Sequence, residues 1–216
     1  MDKHQLASDA EGRGHPRFRG QEALSSATAG MTRYLVLLRG INVGGRNKVP
    51  MAALRDLLQS HGHTKVSSYI ASGNVILSSD RSPAAIKREL EESLPTTFKL
   101  DSERIAVLVL TRAQLRAVVR DRPTGFGDQP GTYHSDAVFL MGIDAATAMK
   151  VFDPRPGVDA VWPGKGVIYS QRLTAQRTRS RLGKIVGTPA YKSMTIRSWT
   201  TTMALLERME APEDDG

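Results

Sequence analysis

YLVLLRGINVGGRNKVPMAALRDLLQSHGHTKVSSYIASGNVILSS, residues 34 to 79, carries the pattern that decides the fold. YLVLL is an unbroken apolar run, as a buried strand requires. MAALRDLLQSHG then places Met51, Leu54, Leu57 and Leu58 on one helical face and closes at Gly62. KVSSYIA and NVILSS are two strand-like runs parted by Ser72 and Gly73, so they form a hairpin or one strand with a glycine bulge. Helical spacing returns with Ile86, Leu90 and Leu94, and IAVLVL at 105 to 110 is a further strand. The order β-α-β-β-α-β with split βαβ units is that of the ferredoxin-like plait.

Working outward, a helix built on Leu115, Val118 and Val119 leads to a strand, AVFLM at 137 to 141, and a helix carrying Ala145, Met149 and Phe152. Strands DAVW and VIYS follow around a Pro163-Gly164 turn, with helices near 180 to 187 and 198 to 209. The second half therefore repeats β-α-β-β-α. These patterns predict an α+β protein of two ferredoxin-like (α/β plait) lobes related by a duplication of topology, although no sequence identity links the halves. The first lobe spans 31 to 120 and the second, with its C-terminal helix, 136 to 210. A Gly- and Pro-rich linker, 121 to 135, joins them. Residues 1 to 30 have no periodic apolar face and read as a disordered extension; 211 to 216 form a short acidic tail.

Of the 216 residues 40% are hydrophobic, enough for a proper core. There is no cysteine, which excludes disulfides, thiolate catalysis and Cys-ligated metal centres. No apolar run reaches the roughly 20 residues of a membrane helix, and the N-terminus lacks a secretory signal. A cytoplasmic protein with no membrane partner is expected. The formal charge is +8, unevenly spread. Between Asp159 and Glu207 stand Lys165, Arg172, Arg177, Arg179, Arg181, Lys184, Lys192 and Arg197 without one acid; Arg33, Arg39, Arg46, Lys48 and Arg55 form a second such block before Asp56. Two acid-free blocks suit an anionic partner.

RGINVGGRNKVP, residues 39 to 50, follows a strand and opens a helix, where glycine-rich loops present N–H groups to phosphate. It narrowly misses a P-loop. Arg46 stands for the lysine, Asn47 for the metal-binding hydroxyl, and Pro50 falls where a P-loop helix is already running. The plainer alternative is a turn in which Gly44 and Gly45 only supply positive φ. His61 and His63, without acidic company in sequence, make a poor metal site, and His134 has no partner that spacing reveals. Metal binding and triad chemistry are not expected.

LLRGINVGGRNKVPM, then YIASGNV at 69 to 75, then a Ser-Arg-Leu segment followed by TIRSWTT resembles the signature blocks of the domain of unknown function 1697 family, from about Met31 to Met209. The resemblance implies a bacterial α+β protein of two plait-like halves and carries no activity, substrate, cofactor or catalytic residue. Family members usually show Asn on both sides of the tryptophan; here Ser198 and Thr200 stand there. Trp199, Met203 and Leu206 have the spacing of one helical face, with Ser198 as N-cap.

The three blocks are expected to meet at one cleft that holds a phosphorylated or otherwise anionic small molecule, whether the protein is an enzyme or a binding protein. The candidate ligand-binding residues are Arg39, Asn42, Gly44, Gly45, Arg46, Asn47, Ser72, Asn74, Arg181 and Arg197. A nucleic-acid-binding module using the basic surface is the second reading, weakened by 6% aromatic content and the lack of an RNA-recognition signature. The third is an interaction or regulatory protein without a ligand.

Overall fold

The structure, a computed structural model, describes residues 30 to 212. The N-terminal extension expected over 1 to 30 therefore lies outside the described residues except for Gly30, as does most of the acidic tail.

The first lobe runs β1 (Thr32–Leu38), α1 (Met51–Ser60), β2 (Thr64–Tyr69), β3 (Asn74–Ser79), α2 (Pro83–Thr97) and β4 (Val107–Thr111). Its four strands pair antiparallel in the order β2-β3-β1-β4, the order of the ferredoxin-like plait. α3 (Arg112–Arg120) follows, opened by a capping box between Thr111 and Gln114. The second lobe runs β5 (Tyr133–Leu140), α4 (Ala145–Met149), β6 (Asp159–Gly164), β7 (Val167–Leu173) and β8 (Met194–Ser198), ending in α5 (Trp199–Glu210). Its sheet order, β6-β7-β5-β8, repeats that of the first. Three 3-10 segments, Thr174–Arg179, Leu182–Gly187 and Pro189–Ser193, stand where the first lobe has α2.

Alternation along β1 explains the layering. Tyr34, Val36 and Leu38 face α1 and α2, joining Leu54, Leu58, Ile86, Leu90 and Leu94 in one core. Leu35 and Leu37 face the other way, onto α3 and α5. The second lobe mirrors this. Ala137, Phe139, Val167 and Tyr169 join the same middle core, while Val138, Leu140 and Ile168 pack outward on α4 and the 3-10 segments. α3 and α5 thus fill the space between two sheets covered on both faces.

Five details depart from the sequence reading. TIRS belongs to a strand, β8, that pairs with β5. The segment near 180 to 187 is 3-10, not α-helix. Pro163 and Gly164 lie inside β6, an edge strand where proline is tolerated, and the turn falls on Lys165-Gly166. The buried face of α5 is Trp199, Thr202, Leu205, Leu206 and Met209, leaving Met203 exposed. Within the expected linker, Phe126 is fully buried and meets Trp162, Tyr169 and Trp199 edge-on, and β5 already begins at Tyr133. Phe126 thus belongs to the core, while most of the stretch stays exposed.

Candidate functional site

The glycine-rich loop is built by its two asparagines. Asn42 and Asn47 both take positive φ, 55° and 47°, which asparagine tolerates better than other side chains. Asn42 spans the loop: its amide donates to the carbonyls of Val49 (2.9 Å) and Ala71 (2.8 Å), and its oxygen accepts from Val49 N (2.8 Å). Asn47 is buried. Its amide donates to Gly40 O and Ser102 Oγ, its oxygen accepts from the N–H groups of Asp101 and Ser102, and its own N–H donates to the Asp101 carboxylate. Val43 and Arg46 close the loop tip as a bridge around Gly44 and Gly45, and α1 begins only after Pro50. This geometry is a pinned turn, unlike a P-loop, whose helix starts at its lysine.

The YIASGNV turn packs beneath it. Gly73 has φ 76°, and a Cβ there would come within 2.9 Å of Leu38 Cβ and 3.0 Å of the Leu38 carbonyl oxygen, so glycine is required twice over. Asn74, fully buried, donates to Tyr69 O (3.1 Å) and Ser72 Oγ (2.9 Å).

Arg197 joins the lobes. Its Nε donates to Asn74 Oδ1, Nη1 to Thr195 Oγ1 (2.9 Å) and Ile196 O (2.8 Å), and Nη2 to Leu38 O (2.9 Å) and Ser72 O (3.0 Å). All five N–H groups of the guanidinium are engaged. Burial lowers its pKa from 12.5 to about 10, so it stays a cation at neutral pH. Ser198, next along the chain, caps α5 by accepting from Thr201 N.

The three blocks therefore meet, with different fates for the candidate residues. Asn42, Asn47, Ser72, Asn74 and Arg197 bond to one another, to the backbone and to the hydroxyls of Ser102 and Thr195. Gly44 and Gly45 sit at the loop tip. Arg181 pairs with Asp153 at 3.2 Å, in the second lobe and outside the cleft. Two remain available. Arg39 donates Nε to Met194 O (3.0 Å) and lies over the Tyr191 ring, 4.9 Å from its centroid, with Nη1 and Nη2 unpartnered among the described residues. Arg46 is exposed, and its guanidinium has no partner among the described residues.

These two arginines face a cleft of about 360 Å³ between the loop and the start of β8, walled also by Val43, Tyr191 and Thr195 and floored by Arg197. A second hollow of about 470 Å³ shares Arg39 and Tyr191 and is completed by Val186 to Pro189 and Lys192. No carboxylate lines either one among the described residues. Tyr191 and Lys192 are the members that sequence reasoning missed. Lys192 lay in the acid-free block, but nothing local tied it to the loop.

No group of His, Asp or Glu side chains among the described residues is arranged to hold a metal ion. Among the described residues no helix is long and apolar enough to cross a membrane.

Fold and cleft together define a double-plait α+β protein with an arginine-lined opening at the seam of its lobes. Its first two motif blocks, the glycine-rich loop and the turn beneath it, fall in a stretch that a family model matches. The chain belongs to the family described as protein of unknown function DUF1697, matched over residues 31 to 169. Among solved structures it is similar to the conserved bacterial protein SP0830 from Streptococcus pneumoniae, with TM-score 0.72 and 29% identity over 83% of this chain and 99% of that one. No curated protein matches. β8 and Arg197 lie beyond the stretch matched by the family model.

Proposed function

We propose that the cleft binds a small anionic molecule, a phosphorylated one above all, with Arg39 and Arg46 as the groups that contact it. The observation that carries this reading is the lining itself: three guanidiniums and no carboxylate among the described residues, two of them with unspent donors. Cations left unpaired in a concave site favour an anion, because charge-assisted bonds are stronger there than at an open surface. Arg197 contributes charge from below but no free N–H.

A nucleic-acid partner would have to use loops and helix surfaces, since both faces of both sheets are covered and the stacking mode of plait sheets is closed.

Calorimetric titration with pyrophosphate tests the reading. The parent chain is expected to bind, Arg46→Ala and Arg39→Ala each to weaken binding by about 10- to 150-fold, the cost of one charge-assisted hydrogen bond, and Arg181→Ala, outside the cleft, to change nothing. Equal affinity in the parent and Arg46→Ala chains, or no binding of pyrophosphate, would overturn it.

A further inference from the structure

We infer that the ligand is an organic phosphate bearing a ring-sized body, its phosphate between Arg39 and Arg46 and its ring in the adjoining hollow against Val186, Pro189 and Tyr191. This rests on the anion-binding reading above and adds the class of molecule.

The two hollows adjoin, with Arg39 and Tyr191 in the lining of both, and each, at about 360 and about 470 Å³, falls within the range of small-molecule sites. An inorganic phosphate would leave the second one empty. Their chemistries also differ. The first is lined by three arginines, while the second presents a valine, a proline and a tyrosine, with Lys192 and the shared Arg39 as its cations. Val186 is 58% exposed, one of few large hydrophobics left in water among the described residues, and Val43, 64% exposed, stands on the wall of the first hollow. A ring seated in the second hollow would remove Val186 from water.

The boundary between the hollows has a shape suited to a flat group. The Arg39 guanidinium lies over the Tyr191 ring, so one planar cation and one aromatic ring form a ledge shared by both spaces. A phosphate bound at the outer Nη groups of Arg39 puts whatever it is esterified to beside that ledge. Gly187 lines the second hollow, and a Cβ built on it meets nothing within 4 Å. Its φ lies outside the left-handed region, so a larger side chain is accommodated without backbone strain.

That open space supplies the test. Binding of ribose 5-phosphate and of the four nucleoside 5′-monophosphates would be measured on the full chain and on the Gly187→Leu, Val186→Ser and Arg46→Ala variants. At least one nucleotide is expected to bind about 10-fold or more tighter than ribose 5-phosphate, the increment of one buried ring contact. Gly187→Leu should abolish that advantage and Val186→Ser reduce it, both leaving ribose 5-phosphate unchanged, whereas Arg46→Ala should weaken every ligand. If all the phosphates bind equally and only Arg46→Ala matters, the ring subsite is wrong and the anion site stands. Failure of every phosphate to bind removes both.

Discussion

Arg197 donates every N–H it has to groups that belong to three separate blocks, and its position inside the seam is the reason its sequence signal was ambiguous. A buried guanidinium on five acceptors is a structural tie. Replacing it by alanine leaves Leu38 O, Ser72 O and Asn74 Oδ1 unpaired where water has poor access, at a cost of about 3 kcal/mol or more. Denaturant unfolding should therefore show Arg197→Ala strongly destabilised, and Arg197→Lys partly so, because an ammonium cannot reproduce the planar fork. Arg46→Ala removes an exposed guanidinium that has no partner among the described residues and should stay within about 0.5 kcal/mol of the parent. Equal stability of all three chains would dismiss the tie. Both arginines look alike in sequence, each one basic residue in an acid-free block. What separates them is a set of partners 123 to 159 residues away, which no local pattern encodes. Asn42 and Asn47, also candidate ligand donors in the sequence, both take positive φ and turn their amides onto backbone and side-chain groups around the loop.

Among elements, the join between α1, β2 and α2 shows how a poor metal site becomes a structural clasp. His61 Nδ1 and His63 Nε2 both meet Glu89 Oε1, at 3.0 and 2.8 Å, and Arg81 takes Oε2 of the same carboxylate. Burial of the His63 ring, with Arg81 and His61 beside it, outweighs the neighbouring carboxylates and holds its pKa below the ordinary 6.5. In the unfolded chain His63 recovers that value, so between the lowered folded pKa and 6.5 the unfolded state binds more protons. Stability is then complete above pH about 6.5 and falls as pH drops through that window. Chemical denaturation from about pH 7.5 to about pH 5.5 is expected to show this fall, and His63→Gln to flatten it; an unchanged slope in the variant would assign the fall elsewhere. The helix faces of α1, α2 and α3 were legible because their apolar spacing is regular and each is amphipathic. β8 was not. In MTIRS the apolar Met194 and Ile196 alternate with Thr195 and Arg197, whose polar side chains are buried, and the run merges into the capping serine of α5.

At the scale of the whole molecule, the duplication of topology conceals a shared core. Leu35, Leu37 and Ile76 of the first sheet and Ala137, Phe139, Val167 and Tyr169 of the second bury against the same two helices, α3 and α5. The strand order of each plait could be read from its β-α-β-β pattern, but not the face on which a third helix lies, because β1 and β5 are apolar on both sides. Gly and Pro at 121 to 135 mark changes of direction, as a linker would, while Phe126 among them reaches the centre. Gly127 illustrates how tight that centre is, since a Cβ on it would overlap the Trp199 indole. If one lobe unfolded alone, the other would expose one face of its sheet, so the two are expected to unfold together in a single transition. Native-state hydrogen exchange tests this residue by residue: the amides of Leu35 and Leu37 in β1 and of Ala137 and Phe139 in β5 should open with the same free energy, that of global unfolding. Trp199→Ala, which removes the ring around which Phe126 and Tyr169 pack, should lower the value for both strands alike, by about 3 to 5 kcal/mol. A loss confined to β5, with β1 still protected, would mean that the first plait stands by itself and that the middle layer belongs to the second.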